Sequence, residues 1–231
     1  MLPVIIANHN RRELLEQTLD SLRDNSVGSI YTIVVDDCST EEGMREFLES
    51  RKDISKVIFM KKQCGPGVCR NFGVASIPVE YKYLYFSDND VYFEKGWNKK
   101  MLYHYMATED TVPKPIGILG GARHPHHGVE DFIQFDGGVK IDLSDQQVGF
   151  SLFMSKKVWC DIGPFIATEL GEYGKEDTEL CNNARAVGYL IGSMNPPVVV
   201  HCGIHHSEGS KTAGAEHLEE MQAQRPEIKF L

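Results

Sequence analysis

Tyr31-Thr32-Ile33-Val34-Val35-Asp36-Asp37 is five strand-forming residues that end on two carboxylates. A short apolar run closed by turn residues reads as a strand covered on both faces. In open parallel sheets, ligands bind beyond the carboxyl ends of such strands, so the two acids stand where chemistry is done. The arrangement returns at Tyr83-Leu84-Tyr85-Phe86, which runs straight into Ser87-Asp88-Asn89-Asp90.

Outward from these two stretches, strand and helix patterns alternate. Pro3 to Ala7 is a further continuous apolar run, and Val57-Ile58-Phe59-Met60 another. Between them, Asn10 and Glu13 read as a capping box for a helix that buries Leu14, Leu15, Thr18, Leu19 and Leu22. Ser39 and Glu42 read as a second box, ahead of Met44, Phe47 and Leu48. Gly65-Pro66-Gly67 opens a third helix, with Val68, Phe72 and Ala75 inward and Pro78 beyond its end. This rhythm predicts βαβ units: an α/β fold with a mainly parallel central sheet and right-handed crossovers.

After residue 96 the rhythm loosens. Residues 97–108 read as a helix, followed by short segments at 116–119, 132–135 and 150–154. A second clear helix begins at Glu176-Asp177, with Leu180, Cys181, Ala184 and Val187 inward and Gly188 as its stop. Val198-Val199-Val200 is a last buried strand that ends at His201. Residues 207–214 read as a loop and 215–224 as a polar helix. No internal repeat or linker divides the chain, so one domain over 1–231 is expected, with a regular half (1–96), a less regular half (97–206) and a C-terminal loop and helix (207–231).

Composition narrows the class. The chain has 231 residues, 42% hydrophobic and 25% charged, which excludes a disordered or fibrous protein. Lys and Arg number 24 against 33 acids, a net charge of −9 that argues against a general nucleic-acid binder. No apolar stretch approaches the roughly 18–20 residues of a membrane span. The first residues show neither a basic leader nor a small-residue cleavage site, so a soluble, cytoplasmic protein is expected. Six cysteines without a C-x-x-C motif predict reduced thiols, with Cys69 and Cys181 packed on helix faces.

Four aspartates at one sheet edge repel one another unless a cation or hydrogen-bond donors compensate. A hard divalent ion with oxygen ligands, shared with a diphosphate, resolves that conflict. At this point the chain resembles the family-2 glycosyltransferases of the GT-A fold. The resemblance is carried by Pro3 to Arg11, by Val34-Val-Asp-Asp-Cys-Ser-Thr40 and by Gly65-Pro-Gly-Val-Cys-Arg-Asn-Phe-Gly73. It continues in Ser87-Asp-Asn-Asp90, Glu176-Asp-Thr-Glu-Leu180 and Val200-His201. These span residues 3–206 in the family's order.

The resemblance implies transfer of a sugar from a nucleoside-diphosphate donor, a UDP-sugar first, to an acceptor hydroxyl with inversion. The 1–96 half would bind the donor and the 97–206 half the acceptor. Ala7, His9 and Asp37 would hold the base, with Asp36 beside them. Arg70 would face the diphosphate or support the acids, and Asp88 would lie near ribose and metal. Asp90 and His201, or His205 in its place, would hold Mn²⁺ or Mg²⁺. Asp177 would be the general base, with Glu176 and Glu179 orienting the acceptor. A carboxylate must take the proton of a hydroxyl that is a poor nucleophile at neutral pH.

Trp97, Phe132, Phe135, Trp159, Phe165 and Tyr173 surround the less regular half; most read as core, and Trp97 and Tyr173 as a platform for the acceptor. His205, His206 and the His124-Pro-His-His127 stretch are further polar candidates. Saccharides are the first acceptor class. A hydroxylated DNA base would need a local basic patch, for which Lys99, Lys100, Lys114, Arg123, Lys156 and Lys157 are candidates. Two other classes compete. A sugar-phosphate nucleotidyltransferase would carry a Gly-rich loop where Asn8-His9-Asn10-Arg11 stands. A non-catalytic sugar-binding module would not need the full acidic set.

Overall fold

The computed structural model describes residues 1–78, 80–109, 114–123, 128–147, 149–167, 175–203, 222–223 and 225–229. The regular half follows the expected alternation: β1 (Leu2–Asn8), α1 (Arg12–Asn25), β2 (Ile30–Asp36), α2 (Met44–Ser50), β3 (Lys56–Phe59), α3 (Pro66–Ala75) and β4 (Tyr83–Ser87). A short β5 (Val91–Phe93) and α4 (Trp97–Glu109) lead into β6 (Ile116–Gly120), β7 (Asp131–Gln134), β8 (Lys140–Ser144) and β9 (Ser151–Ser155). The described chain continues with α5 (Lys156–Ile162), α6 (Lys175–Ala186), β10 (Leu190–Asn195) and β11 (Val199–His201).

One sheet of nine strands, ordered β3-β2-β1-β4-β9-β6-β10-β8-β7, carries the fold. The pairs β3–β2, β2–β1, β1–β4 and β6–β10 are parallel, while β9 and β8 run against their neighbours. β7 is antiparallel to β8 and so rejoins the majority direction, leaving the sheet mainly parallel. Its two faces are covered by separate apolar clusters. One joins Val4, Ile6, Leu15, Leu19 and Tyr85 to Trp97 and Met101; the other joins Ile5, Ile33, Cys69 and Phe86 to Leu180. Alternate residues of β1 enter opposite clusters, as the two-residue strand period requires.

Several local expectations are corrected. Neither capping box forms: α1 and α2 begin at Arg11 and Gly43, both left-handed, without a side-chain cap. Asn10 and Ser39 serve the loops instead. α3 buries Gly67, Cys69, Arg70 and Gly73, and Phe72 lies outward at 51% exposure. Gly73 decides that orientation, because a Cβ there would come within 2.4 Å of Ile5 Cγ2, so the helix lies directly on β1. Val187 is exposed beyond α6, whereas Gly188 stops that helix with φ +92°. β5, β8, α5 and β10 were not anticipated. The 207–214 loop and most of the 215–224 helix lie outside the described residues.

Candidate active site

β1, β2 and β4 end at the same sheet edge, since Asn8 pairs with Asp36 and Ile6 with Ser87. Asn8 is the hinge between the acids. Its amide donates to Asp36 Oδ1 at 2.7 Å and accepts from Asn89 Nδ2 at 2.8 Å. Asp36 also accepts from Ser39 Oγ at 2.5 Å and from the Ser39 N–H at 3.1 Å. Its carboxylate is buried and holds the turn.

Asp37 accepts from the Cys64 N–H (2.8 Å) and the Gly65 N–H (2.8 Å), so it ties the start of α3 to β2. His9 Nδ1 donates to the Asp37 carbonyl at 2.8 Å, and Asn10 Nδ2 donates to His9 Nε2 at 3.2 Å, which fixes the ring's tautomer and plane. Asn10 Oδ1 in turn accepts from the Thr40 and Glu41 N–H groups. Ala7 is buried in β1 opposite Val35, so only its backbone neighbours this edge.

The second acidic stretch is built differently. Asp90 is followed by β5, which pairs antiparallel with β11 so that Val91 faces His201. That ribbon brings His201 Nε2 to 3.2 Å from Asp90 Oδ1. One ligand atom each of Asp88, Asp90 and His201 lies within 4.8 Å of the others, a set of hard oxygens and one imidazole suited to Mn²⁺ or Mg²⁺. Burial alone would lower the imidazole pKa, but Asp90 and, behind it, Asp88 raise it above its usual value. Gly203 closes the group: a Cβ there would lie 2.0 Å from Asp90 Oδ2. Arg11, which the sequence reading left unassigned, reaches across from the β1–α1 loop to Asp90 Oδ2 at 2.7 Å.

Arg70 connects this group to α6. It is 1% exposed and donates to Asp88 Oδ1 at 2.5 Å and to the Gly149 carbonyl at 3.1 Å, with Glu176 Oε1 at 3.5 Å. Its contacts among the described residues are thus with the acids of both segments. The Gly149 N–H donates to Asp177 Oδ2 at 2.7 Å, and the Thr178 N–H to Asp177 Oδ1 at 2.8 Å. A Cβ on residue 149 would lie 2.9 Å from the Arg70 guanidinium, so glycine permits this stacking. Burial first, then the Glu176 charge, pushes the Asp177 carboxyl up to about 6, against the Gly149 hydrogen bond and Arg70. A buried carboxylate titrating there suits proton abstraction near neutral pH.

The remaining candidates differ in burial. Trp97 is fully buried between Tyr85 and Phe93, at 4.5 and 4.6 Å between ring centroids, and cannot receive an acceptor. Glu176 faces Arg70 from within the core, and its Oε2 has no hydrogen-bond partner among the described residues. Glu179 is exposed and accepts from Asn182 of its own helix at 3.4 Å. Phe165 is buried under Arg70, and Trp159 packs on it and on Phe86. Tyr173, His205, His206 and the 124–127 histidines lie outside the described residues.

Three of the basic candidates lie away from the acids. Lys156 and Lys157 follow β9 where Ser155 pairs with Tyr83, at the start of β4 and so the edge opposite Asp88. Lys114 precedes β6, which runs against β9, and lies toward that same far edge.

A nine-stranded α/β sheet with an Asp-Asp-His group and a raised carboxyl beyond its strand ends is the architecture of the GT-A nucleotide-sugar enzymes. The similarity to solved structures agrees. GalNAc-T7, solved with UDP, GalNAc and Mn²⁺, superposes with a TM-score of 0.65 at 12% identity, over 87% of this chain and 43% of that one. S. aureus TarS 1–349, in complex with UDP-GlcNAc, gives 0.61 at 17% identity, over 83% and 55%. A mannosyltransferase of Pyrobaculum calidifontis, with GDP-Man and Mn²⁺, gives 0.60 at 14%, over 98% and 64%.

At the level of sequence, glycosyl transferase family 2 matches residues 4–157, more than half of the chain, and the chain belongs to that family. A curated relative, the teichuronic acid biosynthesis glycosyltransferase TuaG of Bacillus subtilis (strain 168), is 30% identical over 105 residues. That match covers 44% of this chain and 40% of the relative, so the alignment spans less than half of either. No described helix is long and apolar enough to cross a membrane.

Proposed function

We propose that the chain transfers a sugar from a nucleoside-diphosphate sugar, a UDP-sugar first, to an acceptor hydroxyl with inversion, and that it does so with a divalent cation. The observation that carries this reading is the convergence of Asp88, Asp90 and His201 within 4.8 Å, one arginine away from a carboxyl raised to about 6. Asp88, Asp90 and His201 would hold Mn²⁺ or Mg²⁺, and such an ion, when bound, neutralises charge developing on the leaving diphosphate. The three neighbours bound to UDP-GlcNAc, UDP or GDP-Man support a nucleotide donor, and two of them support Mn²⁺.

The chain's own groups divide the rest of the task. Asp37 and His9 line the base side, where Asp37 keeps further lone pairs beside the two it gives to Cys64 and Gly65. Asp177 takes the acceptor proton, with its orientation fixed by the Gly149 and Thr178 N–H groups. Arg70 and Glu176 hold the metal loop and the base helix in register. The acceptor is a saccharide by preference, since Lys114, Lys156 and Lys157, three of the basic residues a DNA acceptor would need, lie toward the far edge. The same reading carries the whole of 1–231 as one domain.

The test is transfer from UDP-sugars with Mn²⁺. Asp177→Asn is expected to lower kcat by about a thousandfold or more while the donor Kd stays within twofold. Equal loss of both would make Asp177 structural. In the wild type, kcat/KM should fall about tenfold per pH unit below about 6, as the base is protonated. A flat profile to pH 5 would exclude Asp177 as the base.

A further inference from the structure

Two cysteines lie beside Asp37 without a task in that reaction. Cys64 precedes the cap residue of α3, and Cys69 is the fourth residue of the helix. Their sulfurs lie 4.0 Å apart, and Cys64 Sγ is 3.3 Å from Asp37 Oδ1. All three ligand atoms lie within 4.8 Å of one another.

These separations match a metal site better than a disulfide. Zn–S bonds of about 2.3 Å and Zn–O bonds of about 2.1 Å give tetrahedral edges of about 3.8 Å between sulfurs and about 3.6 Å between sulfur and oxygen. A disulfide would need the sulfurs at about 2.05 Å.

We propose that Asp37, Cys64 and Cys69 bind a soft or borderline divalent cation, Zn²⁺ foremost, at a site separate from the hard-ion group of Asp88, Asp90 and His201. Sulfur ligands select such ions over Mn²⁺ and Mg²⁺. Three protein ligands leave a fourth position to water. Burial, followed by the hydrogen bond to Asp37, pushes the Cys64 thiol up to about 11, and burial raises Cys69 further. Both thiols are therefore protonated at neutral pH. Each bound ion displaces two protons to solvent and no electrons move, so apparent affinity should change up to about a hundredfold per pH unit. One consequence rests on the reading of Asp37 as the base contact: an ion on Oδ1 competes with the nucleobase and inhibits donor binding.

Co²⁺ is the probe, added to the reduced full chain and then displaced by Zn²⁺. The expected result is a near-ultraviolet thiolate-to-Co²⁺ charge-transfer band at about one ion per chain, insensitive to excess Mn²⁺. The half-buried Cys64 tolerates Cys64→Ser, which should abolish the band. No band in the wild type overturns the site, and this needs no variant. A band retained in Cys64→Ser also overturns it, placing the thiolate elsewhere, for example at Cys202 beside His201. A Cys64–Cys69 disulfide recovered in place of the metal does the same. Zn²⁺ should raise the Kd of UDP with Mn²⁺ about tenfold in the wild type and leave it unchanged in Cys64→Ser. A Cys64-dependent band without that shift upholds the metal site and overturns the assignment of Asp37 to the base.

Discussion

Asp36-Asp37 and Asp88–Asp90 look alike in sequence: acids directly after a buried strand at the same sheet edge. The molecule treats them in opposite ways. The first pair is answered by neutral donors, with Asn8 and Ser39 on Asp36 and the Cys64 and Gly65 N–H groups on Asp37. The second is answered by charge, with Arg70 on Asp88 and both Arg11 and His201 on Asp90. A carboxylate bound by backbone and amide donors holds a turn in place. A carboxylate facing mobile or titrating cations can exchange them for a metal ion. The same residue type is thus held by neutral donors at the end of β2 and by cationic side chains after β4.

Substitution should separate the two strand ends cleanly. Asp90→Ala is expected to weaken Mn²⁺-dependent donor binding about a hundredfold or more while the melting temperature changes little, since Arg11 is half exposed and can hydrate. Calorimetric titration of UDP with and without Mn²⁺ checks this; wild-type affinity would remove Asp90 from the metal site. Asp36→Ala should do the reverse. It strands the buried Asn8 amide and two Ser39 donors, at a cost of about 3 kcal/mol. For a chain of this length that lowers Tm by roughly 6–12 °C. An unchanged Tm would show that the turn holds without its carboxylate.

Asp177 belongs to neither pattern, because its burial outweighs its donors. With the pKa raised from 3.8 to about 6, the ionised form costs roughly 3 kcal/mol in the folded state. The sign follows: the fold is favoured below the unfolded pKa of 3.8, and that favour is lost as pH rises through about 6. Asp177→Asn should therefore raise stability by about 1–3 kcal/mol at pH 7.5 and by nothing at pH 3.5, which denaturant midpoints at the two pH values resolve.

How much of this was legible in advance depended on whether a residue's role is local. The β1–β4 alternation was readable because each strand is a continuous apolar run and each helix an apolar stripe. The acids at the strand ends were readable for the same reason. The capping boxes do not form because Asn10 bonds partners 29 to 31 residues away across the sheet edge, Ser39 among them, which local spacing cannot reveal, and Ser39 also turns back onto Asp36. β8 and β10 escaped because Lys140–Ser144 and Leu190–Asn195 are short and mix polar with apolar residues. Their pairing with each other supplies what their sequence lacks. Trp97 was misread because an aromatic residue near a binding half has the same sequence signature whether it faces a sugar or the core.

Arg11 is the smallest and most telling break in the comparison. Its guanidinium lies on Asp90 Oδ2, on the carboxylate that would hold the proposed cation, so the two positive groups would compete for one residue. Removing the competitor should tighten Mn²⁺ binding without donor, by up to about fivefold if an exposed ion pair is worth its usual fraction to one kcal/mol. Asp36→Ala should leave that affinity unchanged, because no cation touches Asp36. If Arg11→Ala weakens Mn²⁺ binding instead, Arg11 orders Asp90 rather than competing for it. The second strand end would then be a clamp of the same kind as the first, built from charge in place of amides.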